Sequence, residues 1–374
     1  MPRLFWRRLF LCLLIATPAW GHEPAPPTKP TVAANARLEL VRQGEAALAR
    51  GDARNALDWF ERAGDLGHEA DAELGQLRAM LQAGEFRRAL AFAAHIAGVH
   101  QDESAGAGIY AWLPHLSGQT LVAQQTLARA LARLPGDPVL LATGDLLRAA
   151  QPRPDGLLLK IPARFAPNDL AAPGLLATLA PVGSGLLSDD GRSVIGSAPE
   201  AGDKVGWWVR DGRGRVVAAR VVQRDPTSGL VELHLATALP APARALAAPP
   251  RDPFPGSPAY ALGYASAATA TPTWPLLRIG FLGAATDHTG VYELGIEAAP
   301  GQEGGPVFDA AGRLAGIAIE DRGGRRRIIL PSLLRRQGLP VPAAVGVATT
   351  PARLAIDEIY EHGLARVVHI LGPR

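Results

Sequence analysis

The sequence predicts a multidomain protein in which an α-helical region is followed by an all-β region and a C-terminal helix. Its 374 residues suffice for two or three domains, each with a core of its own. Helical patterns up to about Ala150 recur at intervals of 33 and 34 residues. From about Leu175 the apolar residues alternate with polar ones in short runs, as in strands. A content of 48% hydrophobic and 20% charged residues is typical of a globular chain.

The first 21 residues have the pattern of a signal peptide. Arg3, Arg7 and Arg8 precede an apolar core at Leu9–Ala16 that is too short to span a bilayer, and small residues place the cleavage after Gly21. The segment "RRLFL" also resembles a twin-arginine signal, but the strongly apolar core favours the general export route. A retained membrane anchor is the alternative. We therefore expect secretion across the inner membrane into the periplasm.

Cleavage of this signal changes the net charge and the cysteine content of the mature chain, and therefore the partners and disulfides that we expect. Loss of its three arginines lowers the formal net charge from +3 to zero, so the basic precursor gives no reason to expect nucleic acid or an anionic membrane as a partner. The one cysteine, Cys12, leaves with the signal, so the mature chain has no disulfide. No cluster has the spacing of metal ligands, and we expect neither a metal nor a cofactor.

Residues 22–35 form a Pro-rich tether, and residues 36–150 contain repeated helical units. The segment Ala47–Ala63 is echoed by Ala79–Ala97 and, more weakly, by Leu113–Leu131. Turn glycines and small helix residues keep the same spacing in all three units: Gly51, Gly84 and Gly118, and Ala56, Ala89 and Ala123. These units resemble tetratricopeptide repeats, which stack into a curved surface that binds a protein or peptide partner. The alternative is a helical spacer without a partner.

Breaks in the helical pattern define a linker at residues 151–174, followed by many short predicted strands at residues 175–349. Residues 350–374 predict a closing helix packed on the barrel, with Thr350 as its cap and Pro351 at its first position. The apolar face of that helix consists of Leu354, Ile359, Leu364, Val367 and Val368.

Four segments of the β region occur in the order and at the spacing of one protease family. They are "GSGLLSDDGRSVIGSA" (183–198), "GRVVAARVVQRDPTSGLVELHL" (214–235), "PGSPAYALGYA" (255–265) and "PGQEGGPVFDAAGRLAGIAI" (300–319), the last followed by "RRIILPSLL". Together they resemble bacterial trypsin-like serine proteases of the HtrA type. The resemblance implies a double β-barrel, a nucleophile loop at 300–306, and a substrate strand after it.

The same resemblance locates three catalytic positions, and none of them has the family's residue. The nucleophile position holds Glu303, the histidine position holds Pro199, and the aspartate position holds Gly229. Peptide hydrolysis by this mechanism needs a nucleophile, an imidazole base and a carboxylate that orients it. Ser197, Ser228 and Asp225 lie near these positions but bring no base, and the histidines of the region are His234, His288, His362 and His369.

The glycine framework around the nucleophile position is kept. Gly301, Gln302, Gly304 and Gly305 preserve the loop whose amides face the oxyanion in active relatives. The carboxylate of Glu303 either folds back into that oxyanion hole, faces a ligand, or lies in solvent. Residues of the substrate strand and its neighbour are candidates for peptide binding by strand addition: Gly316, Ile317, Ala318, Ile328 and Leu330. The arginines of "EDRGGRRR" favour acidic ligands or simply form a solvated hairpin tip.

The sequence therefore predicts a periplasmic pseudoprotease, a protein- or peptide-binding adaptor made of helical repeats and a non-catalytic trypsin-like domain. One alternative is a divergent serine-type peptidase with a relocated catalytic residue. A second is a structural scaffold in which the repeats alone bind a partner.

Overall fold

A computed structural model describes residues 32–148, 167, 170–199, 206–265, 274–286, 290–297, 300–321, 323–342 and 352–374. The first of these ranges folds as seven helices, as the repeated pattern predicts. Their bounds are α1 (Val32–Ala49), α2 (Ala53–Asp65), α3 (Ala70–Ala83), α4 (Phe86–Val99), α5 (Ser104–Leu116), α6 (Thr120–Arg133) and α7 (Pro138–Arg148).

The repeated small residues explain why these helices pack in hairpins. Gly84 ends α3 in the left-handed conformation, with φ of 82°, and its amide donates to the carbonyl of Leu81. Ala89 is completely buried one turn into the next helix, where a larger residue would hold the helices apart. Gly44 and Gly75 lie against the two sides of the Phe60 ring, because a Cβ on either would come within 2.8 Å of it. The predicted helical hairpins are confirmed.

The β region forms two closed barrels of six strands each. The strands are β1 (Leu179–Leu187), β2 (Ser193–Ser197), β3 (Trp207–Asp211), β4 (Val216–Arg224), β5 (Leu230–Leu235), β6 (Pro258–Gly263), β7 (Leu276–Ala285), β8 (Val291–Gly295), β9 (Pro306–Phe308), β10 (Leu314–Glu320), β11 (Arg326–Ile329) and β12 (Val367–Pro373). Around the first barrel the order is β1-β12-β3-β4-β5-β2, and around the second it is β10-β11-β8-β7-β6-β9. The predicted double barrel is thus confirmed.

The C-terminal segment departs from the prediction. A short helix, α8 (Pro331–Arg336), comes first, and helix α9 (Ile356–Leu364) begins the C-terminal segment. The residues after α9 form strand β12 instead of continuing the helix. Strand β12 inserts between β1 and β3, pairing antiparallel with both, and supplies the sixth strand of the first barrel. The prediction of one helix through residue 374 was therefore wrong, because the apolar run Val367–Leu371 is buried on both faces. Thr350 and Pro351, its predicted start, lie outside the described residues.

The repeats pack directly against both barrels. The rings of Phe86 on α4 and Tyr360 on α9 have centroids 4.4 Å apart, and both side chains are fully buried. Arg87 pairs with Asp357 at 3.0 Å and with Glu358 at 3.2 Å. One hydrophobic cluster runs from the helices α3–α7 into the β region without interruption. The described helices and barrels therefore form one body, and most of the predicted linker lies outside the described residues.

None of the described helices combines the length and the hydropathy that crossing a bilayer requires. The predicted signal peptide and most of the Pro-rich tether lie outside the described residues.

Candidate functional site

The candidate site is built on the loop 300–305, between β8 and β9. Gly301 and Gly304 both have positive φ, 91° and 82°, and the side chain of Glu303 folds back over the loop. The Gly301 amide donates to Glu303 Oε2 at 2.7 Å. Glu303 Oε1 accepts from Arg326 of β11, whose guanidinium also lies 3.1 Å from Glu320 Oε2. Of the three arrangements that the sequence allowed for Glu303, the structure has the folded-back one.

Contacts from the first barrel fix this loop. Ser184 Oγ donates to the Gly301 carbonyl at 2.9 Å and accepts from the Tyr264 amide at 2.8 Å. The Ser184 amide donates to the carbonyl of Glu303 at 2.9 Å. A Cβ on Gly304 would lie 2.1 Å from the Ser197 nitrogen, so the loop touches the backbone of β2 where only glycine fits. Ser184 is completely buried, and the loop is therefore a rigid joint between the barrels.

Arg224 contacts the two positions, 199 and 229, that the resemblance assigns to the catalytic histidine and aspartate. Arg224, the last residue of β4, donates to the carbonyls of Ala198 at 2.7 Å, Pro199 at 3.0 Å and Gly229 at 3.4 Å. The half-buried side chain of Arg224 thus links the backbone at positions 199 and 229. A guanidinium stays protonated and cannot serve as a general base.

The nearby carboxylate and hydroxyls are engaged in local structure. Asp225 Oδ2 accepts from the Ser228 amide at 2.8 Å and from Gln337 Nε2 at 3.0 Å. Gly229 turns the chain into β5 with φ of 72°, and its amide donates to the carbonyl of Asp225. The Ser228 hydroxyl donates to the same carboxylate. Asp225 therefore closes the β4–β5 turn.

The described histidines of the β region lie in other surroundings. His369 on β12 stacks on the Tyr264 ring at 4.7 Å, and its Nδ1 is 3.0 Å from Arg210 Nη2. Burial, and then Arg210, lower the pKa of His369 well below its usual value. His362 meets the edge of Phe308, and burial with the nearby arginines lowers its pKa to about 4. In the part of the chain that the structure describes, no serine hydroxyl hydrogen-bonds to an imidazole; His288 lies outside it.

The residues predicted to bind a peptide by strand addition are paired within the second barrel. Gly316 and Ile317 pair with β9, and Ile317 and Ala318 pair with β11. Ala318 also exchanges hydrogen bonds with the loop, donating to the Gly305 carbonyl at 3.0 Å and accepting from the Gly304 amide at 2.7 Å. Ile328 and Leu330 are at most 1% exposed. These five residues therefore present no free edge, because the barrel closes through them.

The next residues of β10 have a different environment. Among the described residues, Ile319 and Glu320 pair with Arg327 and Arg326 of β11 on one side only. In the described part of the chain, no strand pairs with Ile319 and Glu320 on the other side of β10.

The arginines of the β10–β11 hairpin are matched by carboxylates. Arg327 pairs with Glu293 at 2.8 Å and with Asp321 at 3.2 Å, and Arg325 pairs with Asp321 at 3.0 Å. Arg326 faces Glu303 and Glu320, as described above. Arg325, Arg326 and Arg327 are thus paired with carboxylates of the same chain. Arg322 lies outside the described residues.

The described residues contain no group of three or more histidine, cysteine or acidic side chains placed to hold a metal ion.

The strand order of the two barrels and a family match agree on the class of fold. Residues 183–317 match the trypsin-like peptidase domain family. The β region is therefore a trypsin-like double barrel, built here with the C-terminal strand in its first half. No curated protein sequence matches the chain.

Solved structures similar to the chain include an HtrA-type protease and two other proteases. The serine endoprotease from Yersinia pestis is 19% identical, with 42% of this chain and 59% of that chain covered and a TM-score of 0.35. The HtrA-type protease AlgW with a decapeptide is 20% identical, with 42% and 50% covered and a TM-score of 0.35. The MamO protease domain from Magnetospirillum magneticum in its apo form is 20% identical, with 44% and 95% covered and a TM-score of 0.34. The chain spans only 59% and 50% of the first two structures.

Sequence reasoning located the loop but missed three residues that define its surroundings. Ser184 lies in the segment "GSGLL" quoted above, and the sequence analysis assigned it no role. Arg224 ends a β-strand and carries no sequence signal of its contact with positions 199 and 229. Arg326 was placed at a hairpin tip, whereas its side chain is 18% exposed and reaches Glu303 across the barrel wall.

Proposed function

We propose that this protein is an exported protein- or peptide-binding adaptor whose trypsin-like domain does not hydrolyse peptides. The observation that carries this proposal is the position of Glu303. Its carboxylate accepts hydrogen bonds from the Gly301 amide and the Arg326 guanidinium. The Gly301 amide, which would stabilise an oxyanion in an active enzyme, therefore already binds the carboxylate of Glu303.

The surroundings of the other two positions support the same proposal. Arg224 lies between Pro199 and Gly229, where a working site needs a neutral imidazole and a carboxylate. A carboxylate is also a weak nucleophile toward an amide. Site remnants without a triad give only about 10³–10⁴-fold acceleration over water, which is too little for amide hydrolysis.

The helical repeats add a surface suited to binding. A groove with a volume of about 540 Å³ lies between α2, α3 and α4 and is lined by Glu61, Asp65, Phe92 and His95, among others. Its floor includes Glu73, a buried residue whose carboxylate lies 3.1 Å from His100 Nε2. Polar and charged side chains line most of this groove, and Phe92 and Leu66 supply its apolar contacts. We assign the adaptor role to this groove and to the cleft of the barrels together, because the two are parts of one body.

Replacing the glutamate with the family's nucleophile is expected to restore no hydrolysis. The Glu303→Ser protein should leave casein intact and should not react with a fluorophosphonate probe, because Arg224 cannot take the proton from the new hydroxyl. The measurement is gel analysis of casein and probe labelling, with an active trypsin-like enzyme in parallel. Labelling of the wild-type chain that disappears when one serine is replaced would instead establish a relocated nucleophile and a peptidase.

A further inference from the structure

The loop 300–305 and strand β11 together form a pocket for one carboxylate group. Its donors are the amide of Gly301 and the guanidinium of Arg326, and we call these two groups the carboxylate pocket. In this structure the occupant is the side chain of Glu303, held at 2.7 Å by the Gly301 amide. The side chains of Glu303 and Arg326 are each 18% exposed to solvent, so the pocket reaches the surface. The protein itself therefore shows which chemical group the pocket accepts.

The walls of the carboxylate pocket do not depend on the side chain that fills it. The loop is held through main-chain atoms and other side chains: Ser184 binds the carbonyls of Gly301 and Glu303, and Gly304 binds the carbonyl of Ala318. Gln302 Nε2 donates to the Gly263 carbonyl at 3.2 Å. Shortening Glu303 should thus leave both donors in place, with an unpaired amide and a less neutralised guanidinium that favour a new anion.

The register of β10 indicates how a partner reaches this pocket. Gly304 and Gly305 hydrogen-bond to Ala318, and the chain continues from there into β9, antiparallel to β10. An antiparallel strand added beside Ile319 and Glu320 would lie in the same ladder and run in the same direction as the loop. Such a strand reaches the loop with its C-terminal end. A free terminal carboxylate on that strand would arrive where the Glu303 carboxylate now lies.

We propose that the carboxylate pocket binds the C-terminal carboxylate of an extended peptide and that Glu303 occupies it as an internal competitor when no partner is bound. This inference rests on the proposed function, since a hydrolytic enzyme would use the Gly301 amide for an oxyanion. It gives the cleft a ligand class, peptides with a free C terminus, and gives Glu303 a regulatory role. Glu320, which pairs only with the guanidinium, lacks the contact to the Gly301 amide.

The test is a gain of binding in the full-length chain. A fluorescein-labelled tetra-alanine peptide with a free carboxylate and the same peptide with a C-terminal amide are titrated against the wild-type protein and the variants Glu303→Ala, Glu303→Gln and Glu39→Ala. Removing the competitor should strengthen binding of the free-acid peptide about tenfold or more, the effect expected for charge-assisted hydrogen bonds. The amidated peptide should show no such gain, and acetate should compete with the free acid.

Two controls keep the result interpretable. Glu39 is an exposed carboxylate on α1, so Glu39→Ala makes the same change in net charge far from the pocket and should leave binding unchanged. Glu303→Gln preserves the shape of the side chain and serves if the alanine variant fails to fold; it should show a smaller gain.

Equal affinities of wild type and both Glu303 variants, or an equal gain for the amidated peptide, would overturn the inference and leave the adaptor role standing. Cleavage of the peptide, followed by mass spectrometry, would overturn the proposed function itself and the inference with it.

Discussion

A chain that ends at Leu364 is expected to lose the first barrel. Without β12, strands β1 and β3 have no partner between them, and buried Val368 and Ile370 leave the barrel core. The two exposed strand edges should make the truncated protein aggregate. Soluble yield and urea denaturation followed by the fluorescence of Trp207 and Trp208 on β3 measure this effect. A truncated chain with the unfolding midpoint of the full-length protein would contradict the assigned role of β12.

A single substitution tests the same strand more gently. The Cδ1 atom of Ile370 lies over Gly185 and Gly196, which have no side chains to fill the space if Ile370 is shortened. Ile370→Ala should lower the free energy of unfolding by about 2–5 kcal/mol, the range for large-to-small changes in a core. Val222→Ala, at a position 48% exposed on β4, is the matched control and should change it by less than about 0.5 kcal/mol.

Acidification between pH 7 and 5 is expected to destabilise the fold strongly. Burial and Arg278 lower the pKa of His115 to about 4, and burial with nearby arginines lowers that of His362 to about 4. Burial and Arg210 lower the pKa of His369 well below its usual value. An unfolded histidine has a pKa near 6.5 and binds the proton more readily than any of these three. Their contribution to stability is therefore complete above about pH 6.5 and is lost as the pH falls toward 4.

The size of this effect follows from the number of histidines. Each group contributes up to about 1.4 kcal/mol per pH unit within the window, so the three together give up to about 4 kcal/mol per unit. Urea denaturation at several pH values above 5 measures the slope before most carboxyl groups titrate. His369→Gln, which keeps an acceptor for Arg210, should reduce the slope by about a third. His68→Gln, at a side chain 90% exposed, should leave it unchanged. A stability that is constant from pH 7 to 5 would contradict the assignment.

Most of the fold could be predicted from the sequence, because the local patterns of turn glycines and alternating apolar residues agree with the structure that forms. Gly51, Gly84 and Gly118 end helices or turns with positive φ, and the alternating runs after Leu175 each became a strand. The failure at Val367–Leu371 has a physical cause, since a fully buried strand lacks the alternation that distinguishes it from a buried helix.

The candidate site divides in the same way. The loop was predictable because Gly301 and Gly304 adopt backbone conformations that few other residues tolerate, and this fixes the motif in sequence. The orientation of Glu303 was one of three open alternatives, since it depends on Arg326 from a different strand. Arg224 was not predictable, because its contact with Pro199 and Gly229 arises only when two turns of the first barrel come together.

The place of β12 in the chain also determines when the protein can fold. Leu179 at one end of β1 pairs with Pro373, so the first barrel stays open until nearly two hundred further residues have been synthesised. During synthesis the helices and the second barrel emerge complete while β1 and β3 still lack their common neighbour. An incomplete sheet with free edges is the kind of intermediate that chaperones protect. The first barrel therefore closes last, when β12 pairs with β1 and β3.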